Sequence, residues 1–210
     1  MLQNKGLILC DIMIEVEKKF ILKEGDREKL LEGAEFLKKQ TVDDTYYDTE
    51  DYSLAKKDWW PRERNGNFEL KIGVAAPGKN ANLLTQHHEL ETDKEIREAF
   101  NISSEKPIKE ALKEAGYRPA FSLITTRERY KKEGFTIDLD SVDYGYELAE
   151  IELMVEDENQ VEEAGERIRA FAEKQGLSFE SYNIRGKVME YIKRYDPVHY
   201  QAIIDAWERG

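Results

Sequence analysis

Ile14-Glu15-Val16-Glu17-Lys18-Lys19-Phe20 is the stretch that decides the fold. Successive side chains of a strand point to opposite faces, so Glu15, Glu17 and Lys19 share one face while Ile14, Val16 and Phe20 share the other. One strand with an ionic face ordinarily faces water. The pattern recurs, however. Glu89 and Glu91 flank Leu90, Asp138 and Asp140 alternate with Ile137 and Leu139, and Glu150 and Glu152 alternate with Ile151 and Leu153. Arg62 and Arg64, and again Arg127 and Arg129, repeat it with the opposite sign, and Lys71 follows Glu69 across Leu70. Opposed like charges destabilise a sheet, so repeated same-sign pairs call for compensation by metal ions and a polyanion.

The side on which the charges lie follows from what else the chain must pack. If the ionic faces met water, the apolar faces would fill a small barrel and the amphipathic helices would have no sheet to cover. If a closed sheet turns its ionic face inward, the apolar face lies outside and needs those helices. The second arrangement uses every segment. The expected fold is therefore α+β: a closed eight-stranded antiparallel β-barrel, a tunnel with an ionic interior, covered by several helices. A charged interior lowers stability unless each charge is paired or coordinated, and function is the usual reason for such a sacrifice.

Period-two segments predict strands near 11–20, 36–47, 58–65, 67–73, 87–92, 121–132, 134–140 and 145–154, with hairpins at Asn65-Gly66 and Glu133-Gly134. The stretch 75–86, rich in Gly, Pro and Asn, reads as a surface loop over one mouth. Helical spacing predicts helices at 26–37, 93–100, 107–115 and 161–175, and again after Ile184. In the last of these, Val188, Tyr191, Ile192 and Tyr195 form an apolar stripe expected to pack on the barrel. One domain spanning 1–210 is expected.

Composition removes several function classes. A net charge of -12 argues against a broad nucleic-acid-binding surface and against adhesion to an anionic membrane, so a bound anion must sit in a local basic pocket. The single cysteine, Cys10, permits neither a disulfide framework nor a Cys-rich zinc site, which suits a reducing, cytoplasmic setting. No signal peptide and no membrane span are read. The expected partner is a small-molecule triphosphate, with no nucleic acid and no membrane, acted on by a monomer.

Charge placement then suggests the chemistry. Mg2+, or Mn2+ in its place, takes carboxylate oxygens while bridging substrate phosphates, and Glu15, Glu17, Asp138, Asp140, Glu150 and Glu152 suffice for one or two such ions. Lys19, Arg62, Arg64, Lys71 and Arg127, with Arg129 beside them, would cradle phosphate oxygens. The catalytic set is Glu15, Glu17, Lys19, Arg62, Arg64, Lys71 and Arg127, and no nucleophilic side chain is needed. Among other residues, His87 and His88 read as surface or hydrogen-bonding residues and His199 as an exposed helix residue. Asp43, Asp44 and Asp48 read as turn and strand-end residues, although Tyr46, on the face of Asp44 and Asp48, could line the tunnel.

These residues resemble the triphosphate tunnel metalloenzymes, or CYTH superfamily. The Glu-x-Glu-x-Lys strand Glu15, Glu17, Lys19 is followed in family order by Arg62-x-Arg64, Phe-Glu-Leu-Lys ending at Lys71, an acidic strand at Glu89, then Arg127, Asp138-x-Asp140 and Glu150-x-Glu152. Within the superfamily the chain is most similar to the thiamine triphosphatase branch, through 44–49, 138–146 and 191–200. The resemblance implies an eight-stranded tunnel and Mg2+-dependent hydrolysis of thiamine triphosphate to the diphosphate and phosphate. It adds Glu89 as a metal ligand, although Glu91 could take its place in the register. It also adds Lys187 as a phosphate contact and Trp60 as a stacking surface for thiamine. Lys187 could equally be a solvated helix residue, and Pro61 departs from the aliphatic residue of that branch. Inorganic or nucleoside triphosphates are the alternative substrates. Adenylyl cyclisation, RNA 5′-triphosphate removal and a non-catalytic phosphometabolite-binding barrel follow behind.

Overall fold

A computed structural model describes residues 13–74, 84–103, 105–178 and 184–209. Eight strands appear near the expected positions: β1 (Ile14–Phe20), β2 (Glu35–Asp48), β3 (Trp59–Arg64), β4 (Asn67–Gly73), β5 (Thr85–Leu90), β6 (Arg118–Lys132), β7 (Phe135–Val142) and β8 (Tyr146–Val155). They close into a barrel in the order β1-β5-β4-β3-β2-β6-β7-β8, every pairing antiparallel. Closure is made by β1 against β8, from Ile14 opposite Val155 to Phe20 opposite Ala149. The hairpins turn where the sequence places them: Asn65 and Gly66, and again Glu133 and Gly134, all take positive φ, as a two-residue turn matched to strand twist demands.

The ionic faces look into the lumen. Outside β1, β7 and β8, Ile14, Val16, Phe20, Ile137, Ile151 and Leu153 are buried against Val161, Ala164, Ile168 and Phe171 of helix α4 (Val161–Lys174). Outside β4 and β5, Phe68, Leu70, Ile72 and Leu90 meet Ile96 of α2 (Asp93–Phe100) and Leu112 of α3 (Ile108–Glu114). Ile168 is fully buried, so Ile168→Ala would leave a cavity under α4 costing about 2–5 kcal/mol. Helix α2 opens on a capping box in which Thr92 accepts from the Glu95 amide and Glu95 reaches back to the Thr92 amide.

One helical expectation needs correction. The helix expected over 26–37 ends at Leu31 as α1 (Asp26–Leu31), and Glu35 to Leu37 belong to β2. Gly33 takes φ 71, and the chain beyond it finds ladder partners on β6, where Glu35 faces Lys131. After Ile184 there are two helices, α5 (Lys187–Tyr195) and α6 (Pro197–Arg209), because Pro197 cannot continue the helix before it. Of the expected loop over 75–86, residues 75–83 lie outside the described residues, while Thr85 and Gln86 open β5.

One end of the lumen is apolar. Tyr46, Leu123, Val142 and Leu148 point inward there and pack with Val188 and Tyr191 of α5, which lies across that mouth. Tyr144 Oη donates to the Lys187 carbonyl at 2.6 Å and Tyr146 Oη to the Arg185 carbonyl at 2.7 Å, tying the start of α5 to the β7–β8 turn. Among the described residues no helix is long and apolar enough to cross a membrane.

Candidate functional site

Register determines which charges meet. Glu17 lies directly opposite Glu152, and Asp138 directly opposite Glu150, so one wall built of β7, β8 and β1 is acidic apart from Lys19 at the end of β1. Arg127 on β6 answers it. Its guanidinium bonds Asp140 at 2.6 Å through both Nε and Nη2, Glu150 at 2.7 Å and Asp138 at 2.5 Å. Arg129 adds a two-point contact to Asp138, at 2.7 and 2.5 Å. Lys187, the first residue of α5, is only 7% exposed and its Nζ reaches Asp140 at 2.8 Å. Its place inside the lumen overrides the solvated reading.

Apart from Lys19 on β1, the opposite wall carries the other cations. Arg62 bonds Glu69 through Nε at 2.8 Å, and Arg64 bonds Asp44 at 2.7 and 2.9 Å. Lys71 bridges Glu15 and, at 2.9 Å, Glu89, while Lys19 bonds Glu17 and, at 2.9 Å, the Thr85 hydroxyl. The Glu89 register is thereby resolved: Glu89 faces Lys71 across the β4–β5 ladder, and Glu91 lies exposed beyond the strand end. Trp60 pairs with Lys71 on β3 and β4, has its indole N–H on Asp58 at 2.6 Å, and packs with the lumen-end aromatics. Trp59 points away, edge-on to Phe100 under α2.

Every residue expected at the site thus belongs to one lumen: Glu15, Glu17, Lys19, Trp60, Arg62, Arg64, Lys71, Glu89, Arg127, Asp138, Asp140, Glu150, Glu152 and Lys187. Sequence reasoning missed Asp44, Glu69 and His87 as members. Asp44 is fully buried in mid-strand, not at a turn; its even spacing with Val42 and Tyr46 was the available signal. His87, read as a surface or hydrogen-bonding residue, faces Glu15 across the β1–β5 ladder and is buried, with neither ring nitrogen hydrogen-bonded. His199 is also buried, stacked on Tyr52 at 3.5 Å between ring centres, and is not an exposed helix residue.

Burial and crowding set the charges. Burial pushes Glu152 upward, and the carboxylates of Glu15 and Asp138 push further, holding it well above the usual carboxylate range. Burial also raises Glu15 in spite of the relief from Lys71, with Glu17 and Glu89 adding to the rise. Glu150 goes the other way, because Arg127, Lys19 and Lys187 overcome its desolvation, and Glu89 is lowered to about 2 as Lys71 and Arg62 overcome its own. Burial lowers Lys187, with Arg127 adding to the effect.

Carboxylates outnumber cations in the lumen. Glu17, Glu150 and Glu152 present oxygens all within 4.8 Å of one another, a buried oxygen-only donor set. That set fits a hard divalent cation such as Mg2+ or Mn2+, whose charge would relieve the crowding that raises Glu152.

The sequence profile of the CYTH domain family matches residues 13–186. The human (Homo sapiens) thiamine-triphosphatase is 29% identical over 209 residues, covering 92% of this chain and 90% of that protein. The Macaca fascicularis thiamine-triphosphatase is 29% identical over 216 residues, with the same coverage. Among solved structures, the PH1819 protein from Pyrococcus horikoshii OT3 superposes with a TM-score of 0.63 at 24% identity, over 86% of this chain and 99% of that one, which shows a shared fold.

Proposed function

The chain belongs to the CYTH domain family, and on that premise we propose that it is a metal-dependent triphosphatase that removes the terminal phosphate of a small organic triphosphate, thiamine triphosphate first among candidates. One observation carries the reading: a closed lumen whose acidic wall, Glu15, Glu17, Asp138, Asp140, Glu150 and Glu152, faces a basic one, Arg62, Arg64 and Lys71. Thiamine triphosphate is favoured because the two mammalian relatives are thiamine-triphosphatases and because Trp60 offers an aromatic face beside the cations. We take 1–210 to act as one domain, as a monomer in the cytoplasm, on a small molecule and not on nucleic acid.

A divalent cation on Glu17, Glu150 and Glu152, when bound, would neutralise charge on the phosphates and make water a better nucleophile. The chain's own groups do the rest. Arg62 and Arg64 grip phosphate oxygens in two-point fashion, Lys19 and Lys71 act as point charges, and Arg127 holds Asp138, Asp140 and Glu150 in place. Lys187 lies against Asp140 of the acidic wall and adds a donor for the phosphate chain. Lys19 and Lys71 are bonded to Glu17 and Glu15, and a cation held by those carboxylates would leave both ammonium groups free for the phosphates. The lumen closed around them excludes bulk water, which strengthens each of these interactions.

Phosphate release from thiamine triphosphate, inorganic triphosphate, ATP and triphosphorylated RNA, each with Mg2+, Mn2+ or chelator, tests the reading. Release from thiamine triphosphate that is several-fold faster than from the others and abolished by chelator is expected. No release from any substrate would overturn the enzymatic reading in favour of a binding barrel.

A further inference from the structure

We propose that His87 supplies a nitrogen ligand to a second cation site, formed with Glu15 and Glu17, and that this site prefers a borderline transition-metal ion such as Co2+ or Zn2+ over Mg2+. It rests on the reading of the lumen as metal-binding, though not on which phosphate compound is cleaved. The β1–β5 register sets His87 opposite Glu15, with Glu17 one pleat further on. One ligand atom from each of the three lies within 4.8 Å of the other two, and all three residues are buried. The imidazole is 6% exposed, and both its nitrogens are shielded from solvent without a hydrogen-bond partner. Buried polar atoms are seldom left so, and a ring nitrogen turned toward two carboxylates is accounted for by a shared cation.

Asp58 supports this role. Its Oδ1 stands 3.6 Å from His87 Nε2, too far for a hydrogen bond but near enough to orient the ring, as carboxylates behind metal-binding imidazoles do. The same oxygen accepts the Trp60 indole N–H at 2.6 Å, which fixes Asp58 in position. Room for it exists because Gly73, the β4 partner of His87, has no side chain: a Cβ there would fall 2.1 Å from Asp58 Oδ2. Gly73, Asp58 and His87 thus form a built corner.

Glu17 belongs both to this set and to the oxygen-only set with Glu150 and Glu152, so it would bridge two ions of different preference. Oxygen-only sets suit Mg2+, whereas an imidazole favours the later divalent metals, with Mn2+ below Co2+ in the order of affinity.

The test uses the full, tag-free chain, stripped with chelator and without substrate. Calorimetric titration with Mg2+, Mn2+ and Co2+ is compared for the natural chain, His87→Asn and His87→Phe. Pulsed EPR of the Mn2+-loaded natural chain reads nitrogen coupling directly. Expected are imidazole nitrogen modulation, Co2+ affinity falling about 10–100-fold in both variants, and Mg2+ affinity changing less than about threefold. Unchanged Co2+ affinity, equal losses for Co2+ and Mg2+, or no nitrogen modulation in the natural chain would overturn the proposal, the last even if neither variant folds. A chain that shows nitrogen coupling but hydrolyses no triphosphate would refute the enzymatic reading and leave this one standing.

Discussion

At the scale of single residues, the lumen separates groups that hold the fold from groups that hold a ligand. Arg127 is the common partner of Asp138, Asp140 and Glu150, so Arg127→Ala would leave buried Glu150 without its guanidinium and Asp138 and Asp140 with only Arg129 and Lys187, and should cost about 3–5 kcal/mol in a denaturant titration. Glu152→Gln, by contrast, removes the one of the two opposed carboxylates, Glu17 and Glu152, that burial and its acidic neighbours hold well above the usual range, and should leave the melting temperature unchanged or higher while phosphate release falls about 100-fold. Loss of stability in Glu152→Gln equal to that in Arg127→Ala would contradict this division. Most of the site is legible in sequence because charges at i, i+2 on a strand must share a face. His87 was not, because a histidine in an alternating strand has no sign of its own; only the register against Glu15 reveals which way it points.

The next scale is that of elements, where α5 matters most. Its apolar stripe was readable as packing, and Val188 and Tyr191 do pack, but that it brings Lys187 to Asp140 depends on where the helix begins. Two tyrosines set that beginning. The double variant Tyr144→Phe, Tyr146→Phe removes the donors to the Lys187 and Arg185 carbonyls and should cost about 1–3 kcal/mol. It should also raise KM for the triphosphate more than it lowers kcat, as Lys187 loses its fixed position; an unchanged KM would refute a substrate-facing role for that end of the helix. The helix expected over 26–37 fails for the opposite reason. Local spacing from Asp26 to Leu37 is helical, yet Glu35 and Phe36 pair with Lys131 and Tyr130 of β6, and tertiary pairing outweighs local preference.

For the whole molecule, the eight strands and their inward ionic faces could be inferred before any coordinates, since only a closed sheet gives every helix something to cover. The order of strands around the ring could not, because β5 inserts between β1 and β4 through partners that no sequence spacing encodes. Stability should carry a pH signature from outside the lumen. Burial keeps His199 below its ordinary value of 6.5, so the unfolded chain binds the extra proton first. Its contribution is therefore complete above pH 6.5 and is lost as pH falls below that value toward the folded value. His199→Phe should flatten the decline in unfolding free energy between about pH 6.5 and 5 relative to the natural chain, measured by urea titration. An identical slope would show that His199 is not the titrating group.

The ring is completed only when β1 meets β8, two strands from opposite ends of the barrel-forming sequence. Such a distant stitch is slow to find, and until it is made both strands offer bare edges on which other chains can template. Once it is made, no edge remains. Refolding should thus be sensitive to protein concentration while the finished protein resists self-association, with aggregation arising in the unclosed intermediate and not in the native state.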